Sequence, residues 1–507
     1  MGLLSSVFSA TVSGVDGLRV IVETDVSGGL PCLEIVGMPA ASVKEAKHRV
    51  RSAIRNSGFS IPSRRITVNL APAGLHKAGT QLDLAMAVSL LVASRQLPHT
   101  TICNYGFLGE LALDGTIRPV PGVLAMVLAL YESGHEGAVI PVDNQGEVAF
   151  LKGFDIRVAS NLAQVAAFVK GQASLPAAVA PSAKRNATSG SVVYEQIRGQ
   201  RAAKRALEIA AAGEHSILLV GPPGAGKSLL AKALPEIMPD LSHEESVTVT
   251  KIHSVAGLLP KGSGLLTRRP FRSPHHTVTP AAMVGGGAIP KPGEITLAHR
   301  GVLFLDELPE FSVQVINALR QPLEDGVVNI TRKGGTYRFP CRVLLVAAMN
   351  LCPCGHWGSD WQFCQCTPHQ RRQYVSKVNG PLLDRIDIFM PVRRVEIEEL
   401  AREPNGESAQ LVKQRVEQAR NLQRKRLEGT GLVSNAEMGP KQLSTLLSIS
   451  ASGRRLLLDA YNRMGLSTRA YYRIMKVAAT IADLDGSSRI EEVHVAEALS
   501  YRQRVLE

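Results

Sequence analysis

Residues 217–228, ILLVGPPGAGKS, constrain the chain more than any other stretch. An apolar run, a glycine-rich loop and a Lys-Ser pair opening a helical segment form the setting in which G-x-x-x-x-G-K-[ST] acts as a phosphate-binding loop. Gly221, Pro222, Pro223, Gly224, Ala225 and Gly226 make the loop. Its glycines let the backbone curl so that N–H groups point at phosphate oxygens, and the following helix adds its positive N-terminal end. Lys227 is placed to reach the β- and γ-phosphates, and the Ser228 hydroxyl to ligate Mg²⁺. A chance glycine-rich turn is the alternative, and the flanking strand and helix speak against it. The chain is expected to bind a nucleoside triphosphate, ATP, with Mg²⁺.

Two further strand-like runs end in polar groups suited to that ligand. VLFLDE, 302–307, ends in two carboxylates: Asp306 as an acidic anchor for Mg²⁺, and Glu307 to polarise an attacking water. RVLLVAAMN, 342–350, ends at Asn350, whose amide suits both the γ-phosphate and the lytic water, although an Asn there is also a common turn former. In GPLLDRID, 380–387, Arg385 stands between two acids. Such an Arg is usually a salt-bridge partner; in a ring of ATPase subunits it reaches a neighbour's γ-phosphate.

Length sets the organisation. A chain of 507 residues exceeds what one core usually organises. Residues 1–170 read as a first α/β unit, with strands at 18–23 and 65–70, a basic helix at 42–57 and an apolar helix at 82–94. Residues 171–191, rich in Ala, Pro, Ser and Gly, read as a linker. A nucleotide-binding core follows over 192–395, and 396–507 is mostly helical, with apolar residues at three-to-four spacing. The longest apolar run, 85–93, is too short to span a bilayer, and the first residues show no leader pattern. Seven Cys, four of them within fifteen residues, argue for reduced thiols and a cytoplasmic setting. The net charge of +13 fits a nucleic-acid or anionic-membrane partner, or simply a basic surface.

The loop, LFLDE, AAMN and LLDRID series is similar to AAA+ ATPases. PFRSPHHT (270–277), MVGGG (283–287) and KPGEITLAHRG (291–301) resemble the magnesium-chelatase-type clade. The whole chain, from GMPAASVKEAKHRVRSAI and NLAPAGLHKAGTQLDLAMA to LSTRAYYRIMKVAATIADL, resembles the YifB/ComM competence-protein family. That resemblance implies a multidomain α/β protein: a Lon-protease-like N-terminal domain related to the second domain of ribosomal protein S5, an AAA+ core and a C-terminal helical lid. It implies a homo-hexameric, ATP-driven motor on branched, single- or double-stranded DNA, promoting branch migration in homologous recombination and natural transformation, with no membrane partner. It also implies Arg385 as the finger acting on the neighbouring subunit and Arg469 as the nucleotide-sensing Arg of the lid.

VVNITRKGGTYRF, 327–339, reads as two alternating strands around Gly-Gly, a hairpin with Arg332 and Lys333 at its tip and Arg338 nearby. Such a hairpin grips a phosphate backbone without reading bases, or is a solvated turn with charged ends. Within 351–370, Cys352, Cys354, Cys364 and Cys366 form two C-x-C pairs. Four thiolates suit tetrahedral Zn²⁺. His356 and His369 are substitute ligands, and free or redox-active thiols are the other alternative.

Two rival functions stand beside the DNA motor. A Lon-type protease needs a Ser activated by a Lys. The matching position holds Gln81, and residues 118–126 contain no Lys. A magnesium-chelatase-type metal-insertion ATPase shares the core, but does not explain the first domain, the cysteines or the basic balance.

Overall fold

The computed structural model describes residues 3–74, 77–99, 104–180, 193–260, 262–287, 290–332, 335–358, 362–378, 382–396 and 407–502. Lys333 and residues 181–191 of the expected linker lie outside the described residues.

The N-terminal unit is built on a seven-stranded mixed sheet in the order Cys32–Val36, Arg65–Ala71, Asp16–Ser27, Leu3–Ser13, Tyr105–Phe107, Gly137–Pro141, Asp155–Ala159. Helices Ala41–Asn56 and Asp83–Ala93 cover one face, and Val123–Glu132 the other. The opening strand escapes the sequence reading, which starts the unit at 18–23. Its buried side carries Ser5, Ser9 and Thr11 beside Val7, so no apolar alternation marks it. The hydroxyls are satisfied internally: Ser5 donates to the Ser89 carbonyl (2.7 Å), Ser9 to that of Phe107 (2.7 Å), and Thr11 accepts from Gln81 (2.8 Å). The expected linker also starts later than composition suggests. Leu175 is buried, and residues 176–178 pair with the last strand through Val158 N–H to Pro176 (2.9 Å) and Ala178 N–H to Ile156 (2.9 Å).

The nucleotide-binding unit holds a five-stranded parallel sheet in the order Phe271–Arg272, Val302–Leu305, Leu344–Met349, Ile217–Val220, Ile388–Pro391. Its three central strands are buried along their whole length, which explains their unbroken apolar runs: parallel sheets are covered on both faces. Ile217, Leu219, Phe304, Val346 and Ala348 face helices Arg201–Gly213 and Lys227–Ile237 and the C-terminal helices Ala409–Arg426 and Thr468–Leu484. Leu218, Val220, Leu303, Leu305 and Ala347 face the opposite layer, which includes helices His243–Val255 and Val313–Asp325.

The two units meet along helix His243–Val255. Gly122 N–H donates to the Ser254 carbonyl (3.0 Å), the Ser254 hydroxyl donates to the buried Glu147 carboxylate, and Lys251 pairs with Asp16 (2.6 Å). Burial pushes the Glu147 carboxyl above the usual range, against the pull of its hydrogen bonds to Ser254 and Asn144. No helix among the described residues is long and apolar enough to cross a membrane.

Within the N-terminal unit, Arg49 forks onto Asp83, with Nε to Oδ2 at 2.7 Å and Nη2 to Oδ1 at 3.0 Å, and Asp83 is fully buried at the head of its helix. Removing the guanidinium strands that carboxylate. Arg49→Met is expected to destabilise the unit by about 3 kcal/mol. Urea unfolding of the full chain, compared with wild type, checks this; an unchanged midpoint would show the pair to be dispensable.

Candidate active site

The phosphate loop leaves the sheet at Gly221, and packing dictates the glycine there. A Cβ at 221 would lie 2.1 Å from the Val392 carbonyl oxygen, so the residue is fixed by a close backbone approach and not by a left-handed turn. Gly224 and Gly226 do take left-handed conformations, φ +76° and +89°, and Gly226 caps the helix that begins at Lys227. Pro222 and Ala225 are buried, while Pro223 and Gly224 are exposed at the loop's crest. Lys227 Nζ donates to the carbonyls of Gly221 (2.7 Å) and Pro222 (2.9 Å) and to Asn350 Oδ1 (3.0 Å). Burial lowers its pKa, while Asp306 and Glu307 pull the other way. The ammonium is thus held at the loop's mouth, next to the end of a strand carried from elsewhere in the chain.

Ser228 Oγ donates to Asp306 Oδ2 at 2.7 Å, joining the two groups assigned to Mg²⁺. A hydroxyl and a carboxylate at that separation offer two oxygen ligands to a hard cation that keeps most of its waters. Glu307, next in sequence, is exposed and adopts φ +53°, a conformation that costs a non-glycine residue on the order of 1–2 kcal/mol and is concentrated at functional sites. Its Oε2 lies 3.4 Å from Nδ1 of His276. The His276 ring stacks near His275 (4.1 Å between centroids) and meets Phe311 edge-on (6.4 Å). The segment PFRSPHHT, 270–277, carries His276 but assigns it no role on its own. Its signal was two adjacent histidines in a stretch rich in turn residues, too common a pattern to point at a carboxylate thirty-one residues away.

Lys227, Ser228, Asp306, Glu307 and Asn350 therefore converge. The remaining residues stand elsewhere. Arg385, in the turn Leu383–Arg385, pairs with Glu324 at the end of helix Val313–Asp325. Arg469 is exposed in the first turn of helix Thr468–Leu484. One turn further along, Arg473 pairs with buried Asp387 (2.7 Å). The basic hairpin is a two-stranded ladder, Val327–Arg332 against Gly335–Pro340. Val328 and Phe339 face the core, while Asn329 and Arg338 point outward and Arg332 is exposed near the tip.

Cys352, Cys354, Cys364 and Cys366 gather with their sulfurs all within 4.8 Å of one another. Separations of 3.3, 3.6 and 3.6 Å relate Cys352–Cys354, Cys354–Cys364 and Cys352–Cys364. Sulfurs 2.3 Å from a tetrahedral metal stand roughly 3.8 Å apart, so the donor set fits Zn²⁺. His356 and His369 are not part of the gathered group. The backbone N–H of His356 is the main cause holding the Cys354 thiol down to about 6, whereas burial pushes Cys352 up to about 12. This cluster adjoins the nucleotide loop: Gly355, at φ +82°, lies so close to Pro223 that a Cβ there would be 2.8 Å from its Cδ.

Comparison with known proteins identifies the family of the chain. The family described as magnesium chelatase, subunit ChlI, matches residues 193–400; subunit ChlI of Mg-chelatase matches 22–144, and its C-terminal family matches 406–502. The chain is 41% identical to the uncharacterized protein YifB of Escherichia coli, over 98% of this chain and 97% of that one. It is also 41% identical to competence protein ComM of Haemophilus influenzae, over 99% and 98% respectively. Similarity to the magnesium-chelatase 38 kDa subunit of Rhodobacter capsulatus is 26%, over 34% of this chain and 53% of that one. With a mixed α/β architecture, a parallel nucleotide-binding sheet and near-complete coverage by the YifB and ComM relatives, the chain belongs to the YifB/ComM family of magnesium-chelatase-like ATPases.

Proposed function

We propose that this protein is an ATP-driven motor that moves DNA strands through a homo-hexameric ring, acting in branch migration during recombination of incoming DNA. The observation that carries the reading is a basic hairpin standing on the same core as the converging Lys227, Ser228, Asp306 and Asn350, in a chain that matches ComM along nearly its whole length. Lys227 binds the β- and γ-phosphates, Ser228 and Asp306 hold Mg²⁺, Glu307 orients water and Asn350 senses the γ-phosphate. Arg385 completes the site of the adjoining subunit, and Arg469 reads the nucleotide from the helical lid, 396–507. Arg332, Lys333 and Arg338 hold the phosphate backbone, a sequence-independent contact suited to a motor. The first domain is a Lon-like fold without a protease dyad, since Gln81 stands where the nucleophile would, and the protein works in the cytoplasm.

A metal-insertion ATPase is the second reading, favoured by the chelatase families that cover the chain. Forked or Holliday-type DNA separates the two: it raises ATP turnover in a DNA motor and leaves a chelatase motor unchanged.

Zn²⁺ on the four cysteines is part of the proposal, and its place beside Pro223 gives it a consequence. Purified without chelator, the protein is expected to hold one zinc per chain, and stripping the metal is expected to slow ATP hydrolysis at least about tenfold by freeing the Gly355 turn. Metal analysis and turnover on one sample check both statements, and metal-free protein at full rate would refute the second. Lys227→Ala is expected to abolish hydrolysis. Glu307→Gln should keep ATP bound while turnover falls by about 10²–10⁴. Normal turnover in either variant would remove these residues from the mechanism.

A further inference from the structure

Val15 occupies the tip of a β-hairpin, a position normally left to solvent. Strands Leu3–Ser13 and Asp16–Ser27 pair in continuous register up to Ser13 opposite Asp16, leaving a two-residue loop, Gly14-Val15. Gly14 takes φ +67° at the first loop position, as a type II′ turn needs. The second position carries a β-branched apolar side chain, yet Val15 is only 4% exposed. Its surroundings explain this. Among the described residues, Val15 is the one member of the N-terminal unit that joins the apolar cluster of the nucleotide-binding unit containing Ile252, Met283, Ile330 and Phe339. The loop is also fixed on both flanks. A Cβ on Gly14 would lie 3.4 Å from the Arg338 carbonyl, and Asp16 is tied to Lys251 at 2.6 Å.

That cluster is also the floor of the basic hairpin. The pairs Val328–Phe339 and Ile330–Tyr337 lie on its inner side, and the pairs Asn329–Arg338 and Thr331–Thr336 on its outer side. The two strands form a sheet of their own, hydrogen-bonded to each other and not to the five-stranded sheet. A lone two-stranded ladder is marginal in water, so the stance of this one is set by what packs beneath it.

We propose that Val15 is a positioning residue for the basic hairpin: the N-terminal unit wedges this side chain under strands Val327–Arg332 and Gly335–Pro340 and so sets where Arg332 and Arg338 stand. The role in DNA handling rests on the reading of that hairpin as a DNA grip; the mechanical coupling does not. No residue of the phosphate loop, 221–228, belongs to the cluster that holds Val15, so its loss is expected to spare the nucleotide site. The stiffness of the wedge comes from the eleven-pair ladder behind it, whose other end lies in the centre of the seven-stranded sheet.

The test uses the full chain with Val15→Ser and the conservative Val15→Ile. Hydrogen exchange without DNA is expected to quicken in both hairpin strands of the Ser variant, while Ile217–Val220 and Leu344–Met349 stay protected and the Ile variant matches wild type. DNA-free turnover and the KM for ATP should stay within about twofold, while the forked-DNA concentration giving half-maximal ATPase stimulation rises at least about fivefold. Unchanged exchange in the hairpin of the Ser variant overturns the proposal, as does a uniform loss of protection, which would mark a merely structural residue. Arg338→Ala is the control for the DNA reading. If it leaves DNA stimulation intact, the grip is refuted, and the exchange data alone decide whether Val15 sets the hairpin.

Discussion

The backbone approach of Gly221 to Val392 is the constraint on which the nucleotide site depends. Strand Ile217–Val220 is an interior strand, and Gly221 N–H still donates to Met349 (3.2 Å) as the loop departs. Its Cα meanwhile lies where any side chain would strike the Val392 carbonyl. The loop is thus clamped between the ends of two neighbouring strands before it bends. Because strand ends in a parallel sheet line up at one edge, Asp306 and Asn350 arrive beside the loop without any special turn of their own. The 2.7 Å Ser228–Asp306 bond and the 3.0 Å Lys227–Asn350 bond follow from that alignment. Preorganisation of this kind is what electrostatic stabilisation of a phosphoryl-transfer transition state requires.

Alternation along the same strands sends the two faces of the sheet to different devices. One face packs on the C-terminal helices, and at its edge buried Asp387 joins His215 (3.4 Å) and Arg473 (2.7 Å). Burial would raise that carboxyl, but the His215 hydrogen bond and the Arg473 charge hold it down at about 2, so it stays ionised and paired. Asp387 lies two residues from Arg385, and Arg473 one turn from Arg469. The elements carrying the two arginines proposed to act on different nucleotides are therefore tied together at the buried Asp387 carboxylate, through its pair with Arg473. The opposite face packs on the layer that holds Val15 and the basic hairpin.

How far the sequence could be read depended on whether a residue's signal was local. The phosphate loop, the two acid-tipped and amide-tipped strands and the four cysteines announce themselves, because each is a short pattern whose chemistry needs those types at that spacing. The opening strand did not, since Ser5, Ser9 and Thr11 are satisfied only by Ser89, Phe107 and Gln81, far along the chain. His276 and Val15 were missed for the same reason. Each acquires meaning from a partner that only the fold supplies, Glu307 in one case and the hairpin floor in the other. Even for Gly221 the sequence argues conformational freedom, whereas a Cβ there would clash with the Val392 carbonyl.

The contrast between the two ends of the proposed machine has a physical logic. Around the phosphate loop the contacts are short, directional and backbone-anchored, and the proposed Zn²⁺ on the cysteine cluster would brace Gly355 against Pro223. Beneath the basic hairpin the packing is mainly apolar, with two strands resting on a shared cluster and one hydrogen bond from Arg332 Nε to the Gly287 carbonyl (3.3 Å). Apolar packing resists separation but tolerates sliding by small amounts, because dispersion is spread over many weak contacts. Hydrogen-bonded ladders do not tolerate it. A site that must hold one phosphate geometry is therefore built from the second kind of contact, and a grip that must shift along a polymer from the first. In that arrangement the N-terminal unit is the natural place to control the proposed grip, since the tip of its long hairpin joins the apolar floor on which the basic strands rest.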